Sequence, residues 1–109
     1  MKATEAVTAL AALAQEHRLA LYRLLVRAGA RGMAAGALAE RLDIPNSSLS
    51  FHLAALSRAG LIGHRRQGRS LIYRADFDRM NRLVGYLMEN CCAGADCAAA
   101  APTPERKSA

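Results

Sequence analysis

Three cysteines near one end of the chain are the residues best suited to chemistry. Cys91 and Cys92 are adjacent, and Cys97 follows after a short run of small residues, so the three sulfurs could converge on one ion. Three thiolates without a nearby histidine suit a soft, thiophilic centre with three ligands, whereas zinc prefers a fourth ligand. The types and spacing therefore predict a site for trivalent arsenic or antimony.

Two other interpretations of these cysteines stay open. A disulfide between Cys97 and either Cys91 or Cys92 would make a redox switch, and terminal cysteines can also be incidental. A catalytic cysteine would need a low-pKa thiolate in a pocket, often beside an oxyanion-binding loop after a strand. No such loop is found in the sequence, so we do not expect an enzyme.

The part of the sequence before the cysteines predicts where in the cell the protein is located. No segment approaches the roughly 20 apolar residues of a membrane span. The N-terminus lacks a basic region followed by an apolar run, so we expect a cytoplasmic protein without a membrane partner. An odd number of clustered cysteines in a reducing cytosol favours thiolate chemistry over a disulfide framework.

A long basic segment lies in the middle of the chain. No Asp or Glu occurs between Ile44 and Ala75, and the whole chain of 109 residues carries a formal net charge of +6. A surface with this charge attracts a polyanion, which predicts double-stranded DNA as a partner. The arginines of the segment are Arg58, Arg65, Arg66, Arg69 and Arg74.

The hydrophobic periodicity predicts one domain, mainly α, with a two-stranded β-hairpin in the order ααααββα. This is the order of a winged helix-turn-helix. We expect the domain to span residues 1–92 and residues 93–109 to form a flexible tail that carries Cys97. The predicted helices cover 4–15, 17–28, 34–42, 46–59 and 77–90, and the predicted strands cover 61–66 and 70–75. The expected N-caps of the first, fourth and last helices are Thr4, Asn46 or Ser47, and Asp76.

The fourth helix and the hairpin are the elements expected to read DNA. Leu49, Leu53 and Leu56 form the buried stripe of that helix, which turns small hydroxyl side chains outward, where they can approach a major groove. Arginines of the hairpin could follow the phosphate backbone or enter the minor groove. The candidate DNA-binding residues are Asn46, Ser47, Ser48, Ser50, Phe51, His52, Arg58, Arg65, Arg66, Gln67 and Arg69.

Residues 42–56, with the sequence LDIPNSSLSFHLAAL, resemble the recognition segment of ArsR/SmtB-type repressors. The Gly60–Leu61 step, the RRQGR wing at 65–69 and Tyr73 continue the resemblance, which covers about residues 4–92. It implies a homodimer held by its first and last helices. It also implies that the dimer binds operator DNA without ligand and releases it when a ligand binds.

The ligand implied depends on which family sites are missing. Ala34 and Gly36 stand where some arsenic repressors carry cysteines in the third helix, and no histidine follows Ala75 to form a zinc-type site. Asn90-Cys91-Cys92 with Cys97 resembles the arsenite-responsive subgroup, which implies As(III) as effector, antimonite as a second candidate and no required cofactor. A redox-sensing repressor of the same fold and a constitutive architectural DNA-binding protein are the alternatives.

Overall fold

The computed structural model describes residues 1–94, which form five α-helices and a small antiparallel sheet. The mainly helical winged helix-turn-helix fold is confirmed, whereas most of the predicted tail, with Cys97, lies outside the described residues. Short 3-10 turns occur at Gly29–Arg31 and at Cys91–Gly94. The elements are α1 (Ala3–Leu13), α2 (Glu16–Ala28), β1 (Met33–Ala34), α3 (Ala35–Leu42), α4 (Asn46–Arg58), β2 (Ile62–Gln67), β3 (Ser70–Ala75) and α5 (Phe77–Met88).

The predicted hairpin of β2 and β3 is present, and β1 adds a third strand in the order β1-β3-β2. β2 and β3 pair from Ile62 opposite Ala75 to Gln67 opposite Ser70. This register leaves a two-residue turn whose Gly68 has φ +64°, a value that favours glycine. β1 spans only two residues, too few for a periodicity to reveal.

Gly32 lets the chain pass close to β3 just before β1 begins. Its φ is +72°, and a Cβ at this position would overlap the backbone carbonyl oxygen of Tyr73. Met33 then pairs with Tyr73 across the sheet. The glycine therefore permits the contact that fixes the third strand to the hairpin.

The buried core fixes the orientation of α4. Leu49 and Leu56 on α4 are fully buried, as are Leu21 and Leu25 on α2 and Leu38 on α3. α4 packs against all three preceding helices and against β2. Because an α-helix repeats every 3.6 residues, burial of this leucine face turns the opposite face of α4 to solvent.

α1 packs with a different face from its most apolar one. Ala6, Ala9 and Ala12 are buried, whereas Val7 and Leu10 remain exposed. Small alanine side chains allow a helix to approach its neighbours closely, and the bulkier stripe is therefore left on the outside of the single chain. α1 begins at Ala3 with Lys2 as its N-cap, so the expectation that Thr4 caps this helix is wrong.

The starts of α4 and α5 differ in their caps. The Asp76 carboxylate accepts a hydrogen bond of 2.9 Å from the backbone N–H of Arg79, which confirms the predicted cap of α5. α4 instead begins directly after Pro45, and no side chain caps it. The predicted caps Asn46 and Ser47 are wrong, because both residues already lie inside the helix.

Arg18 joins the end of α1 and the start of α2 to α4. Its Nε donates a 2.6 Å hydrogen bond to the carbonyl oxygen of Ala12, and its Nη1 lies 3.4 Å from Nδ1 of His52. Since a guanidinium can only donate, a hydrogen bond between these atoms requires Nδ1 as the acceptor and the ring proton on Nε2. His52 is 8% exposed, and its ring lies 5.6 Å from that of His17 between centroids.

Burial, the Arg18 guanidinium and His17 together lower the pKa of His52 below its ordinary value of 6.5. The unfolded chain therefore binds a proton at a higher pH than the folded chain does. We expect the free energy of unfolding to decrease as the pH falls below about 6.5, and His52→Asn to remove up to about one proton from this dependence.

Urea unfolding at pH 7.5 and pH 5.5, at one protein concentration, measures the effect. His64→Asn is the matched control, because His64 is an exposed histidine on β2. It should keep the parent's loss of stability between the two pH values. An equal loss in the parent and in His52→Asn would contradict the prediction.

Candidate nucleic-acid interface

One face of α4 is exposed along its whole length. Ser47, Phe51, Ala54 and Arg58 follow one another on this face at intervals of three or four residues, and all four are exposed. They lie opposite the buried leucines. Apart from Phe51 and Arg58 these side chains are small, so the helix backbone can come close to the floor of a major groove.

The remaining candidates on α4 divide into two groups. Asn46 and Ser50 are exposed and Ser48 is half-buried, as a role at the edge of the interface requires. His52 is turned into the protein toward Arg18, and its placement among the DNA-contacting residues is therefore wrong. At 100° per residue, position 52 lies on the side of the leucine stripe, a signal that was available in the sequence.

The β2–β3 hairpin presents a second exposed basic surface. Arg65, Arg66, Gln67 and Arg69 are all exposed. Arg65 donates a 3.1 Å hydrogen bond from Nη2 to the carbonyl oxygen of Arg31, which fastens the hairpin to the turn after α2. Arg66 and Arg69 form no ion pair within residues 1–94, so their charges remain available to an anion.

A shallow depression of about 330 Å³ separates the start of α3 from the hairpin. The N-terminus of a helix presents unpaired backbone N–H groups that suit a phosphate, and Arg69 adds a positive charge beside them. The sequence prediction did not name this depression, which forms where the hairpin lies beside the start of α3. The depression is lined by Ala34, Ala35, Gly36, Arg69, Ser70 and Leu71.

Only part of the predicted thiolate site lies within the described residues. Cys91 is half-buried, carries a free thiol and lies on the turn after α5. Asn90 and Cys92 on either side of it have left-handed backbone conformations with φ +57°, so the chain changes direction sharply here. Up to residue 94, no three His, Cys, Asp or Glu side chains are grouped so that they could hold a metal ion.

Outside α4, the large apolar side chains with the highest exposed fractions lie on α1 and α5. Val7 on α1 is 64% exposed, and Leu87 and Met88 on α5 are 54% and 57% exposed. Leu10 and Val84 extend the same surface on the two helices, which pack against each other. We call these five residues the apolar α1–α5 surface. None of the helices described has the length and apolarity needed to cross a membrane.

Comparison with known proteins identifies the class of this fold. A family model described as a helix-turn-helix domain matches residues 13–65. The transcriptional activator HlyU of Vibrio cholerae serotype O1 is 31% identical over 88 residues, which are 81% of this chain and 79% of HlyU. The structure of an ArsR-like transcriptional regulator from Rhodococcus sp. RHA1 superposes with a TM-score of 0.69 at 30% identity, covering 89% of this chain and 88% of the other.

A second structure similar to this chain is the homodimeric winged helix-turn-helix DNA-binding domain of Mb0332 from Mycobacterium bovis, described as a possible ArsR-family regulator. Its TM-score is 0.65 at 26% identity, and the match covers 85% of this chain and 86% of that one. The matched relatives are transcriptional regulators rather than enzymes. The exposed face of α4, the basic hairpin and these similarities together show that the chain belongs to the ArsR-type family of winged helix-turn-helix transcriptional regulators.

Proposed function

We propose that the protein is a cytoplasmic, arsenite-responsive repressor. A homodimer binds double-stranded operator DNA, and it is released when Cys91, Cys92 and Cys97 bind As(III), with Sb(III) as a second candidate. The observation that carries the DNA-binding part is that the exposed face of α4 and the exposed basic hairpin both lack acidic residues. The direction of regulation is part of the proposal, because HlyU is named an activator.

The homodimer is supported by the apolar α1–α5 surface. A single chain leaves side chains such as Leu87 about half exposed, and burial of an apolar side chain contributes about 1.5–3 kcal/mol. The similar domain of Mb0332 is described as homodimeric. Pairing of α1 and α5 with the same helices of a second chain would cover this surface and present two α4 helices to successive major grooves.

Replacing Leu87 with Glu places a charge within the apolar α1–α5 surface. We expect Leu87→Glu to convert the dimer to a monomer in light scattering coupled to size exclusion, and to weaken DNA binding at least tenfold. Leu19→Glu is the matched control, because Leu19 is 47% exposed on α2, outside this surface. A dimer that persists in Leu87→Glu, or is lost equally in Leu19→Glu, would argue against the proposed interface.

The hairpin arginines should contact phosphates. With a duplex selected by the protein from a random pool, we expect Arg66→Ala to weaken binding and to reduce the slope of log affinity against log salt by about one for each phosphate that Arg66 neutralises. Arg23→Ala removes the same charge from an exposed position on α2. This control should leave the slope of the parent unchanged. Equal slopes in both variants would exclude a phosphate contact by Arg66.

The effector site is proposed from the chemistry of the three thiolates and their position after α5. α5 contributes to the apolar α1–α5 surface, and its buried Leu83 belongs to the core. Nη1 of Arg79 on α5 lies 3.9 Å from Oε2 of Glu5 on α1. A Cβ added at Gly60, just beyond α4, would lie 3.0 Å from Nε of Arg79. A displacement of α5 would therefore reach both the dimer surface and the end of α4.

As(III) can cause release only by binding more tightly to the form of the dimer that does not bind DNA. We infer that ligation draws the segment after Cys92 against α5 and changes the spacing of the two α4 helices. Three sulfur ligands suit the trigonal-pyramidal preference of the trivalent ion. In the fully reduced protein, these three thiols would bind the ion and cause the proposed release of DNA.

Arsenite added to the reduced protein should lower its affinity for the selected duplex about 10–100-fold, within the range of allosteric coupling. We expect each of Cys91→Ser, Cys92→Ser and Cys97→Ser to abolish this response without weakening DNA binding itself. Ala93→Ser, which adds a hydroxyl to the same segment, should respond like the parent. DNA binding that ignores arsenite but falls with peroxide would replace the metalloid proposal with the redox-sensing alternative.

A further inference from the structure

Phe51 is an exposed aromatic residue at the centre of the outward face of α4. Its side chain is 63% exposed, the largest value among the exposed aromatic residues of the part of the chain described. Within the described residues, its only ring contact is with His52, in a T-shaped arrangement with 5.7 Å between the centroids. The core of the domain is thus formed without this side chain, and a packing role within the chain does not account for it.

The neighbours of Phe51 make its ring the most prominent apolar group on this face. Ser47 lies one turn before it, and Ala54 lies one turn after it. Both are small, so the ring projects beyond them. Arg58 follows on the same face, and no acidic residue occurs between Ile44 and Ala75. An apolar ring is therefore set in a surface whose charge complements a polyanion.

The floor of a DNA major groove offers one apolar feature. Base edges there present hydrogen-bond donors and acceptors, except for the C5 methyl group of thymine, which apolar side chains including Phe contact. We propose that Phe51 reads the C5 methyl group of one pyrimidine in each half-site and so contributes to sequence specificity. This inference rests on the proposed DNA binding by α4.

Two pyrimidines carry this methyl group in the same place in the groove, namely thymine and 5-methylcytosine. The shared chemistry is a methyl group at C5, and the two sources can be compared separately. Exchange of thymine for uracil removes the methyl group and leaves every donor and acceptor in place. Exchange of cytosine for 5-methylcytosine adds the methyl group and changes nothing else on the base edge.

The test uses a duplex that the parent protein selects from a random pool. Each thymine is replaced by uracil in turn, in both half-sites together, and binding is measured at fixed salt. We expect one position at which the parent loses about fourfold in affinity for each methyl group removed. Phe51→Ala should bind the thymine and uracil duplexes equally, and Phe51→Leu should retain part of the preference.

Phe77→Ala is the matched control, because Phe77 is an exposed phenylalanine outside α4. It should show the full preference of the parent. In a duplex that carries cytosine at the sensitive position, 5-methylation of that cytosine should raise the affinity of the parent by a similar factor and leave Phe51→Ala unaffected. Circular dichroism and urea unfolding confirm that Phe51→Ala is folded.

The outcomes separate this inference from the function on which it rests. Selection of no duplex by the parent would overturn DNA binding itself. A parent that binds a selected duplex but tolerates uracil at every position would overturn only the role of Phe51. A uracil effect that persists in Phe51→Ala, or 5-methylcytosine without effect on the parent, would also overturn that role.

Discussion

The packing of the leucine face of α4 against α2 and α3 is the constraint on which the rest of the structure depends. Leu49 and Leu56 have almost no exposed surface, and Leu53 has little. Because one residue corresponds to 100° around a helix, a shift of this face by a single residue would move Phe51 from the centre of the outward surface to its edge. Burial of three leucines thus determines which side chains a partner can meet.

Long, periodic segments made most of this fold predictable. The five helices, the β2–β3 hairpin and the Asp76 cap all follow from periodicity and turn chemistry. The sequence could not show which face of a helix packs inside the chain and which face stays exposed. α1 packs through its alanines and leaves Val7 exposed in the single chain. β1 could be recognised only from its pairing with β3 in the structure.

The candidate sites were predictable to different degrees. The outward residues of α4 followed from the position of the leucines. His52 was assigned to the outward face although its position on the side of the leucine stripe predicts burial. The start of α3 came to light only when the hairpin was placed beside it. The cysteine site was predicted from residue type and spacing, and the described residues include Cys91 and Cys92 but not Cys97.

The uncapped start of α4 has a thermodynamic consequence. An Asp or Ser at the position of Pro45 would accept a hydrogen bond from the first turn and stabilise the free protein by about 1 kcal/mol. Without that acceptor, the backbone N–H groups of Asn46 to Ser48 have no side-chain partner at the cap position. The free chain therefore lacks that stabilisation, and the donors at the start of α4 are open to an acceptor from outside the chain.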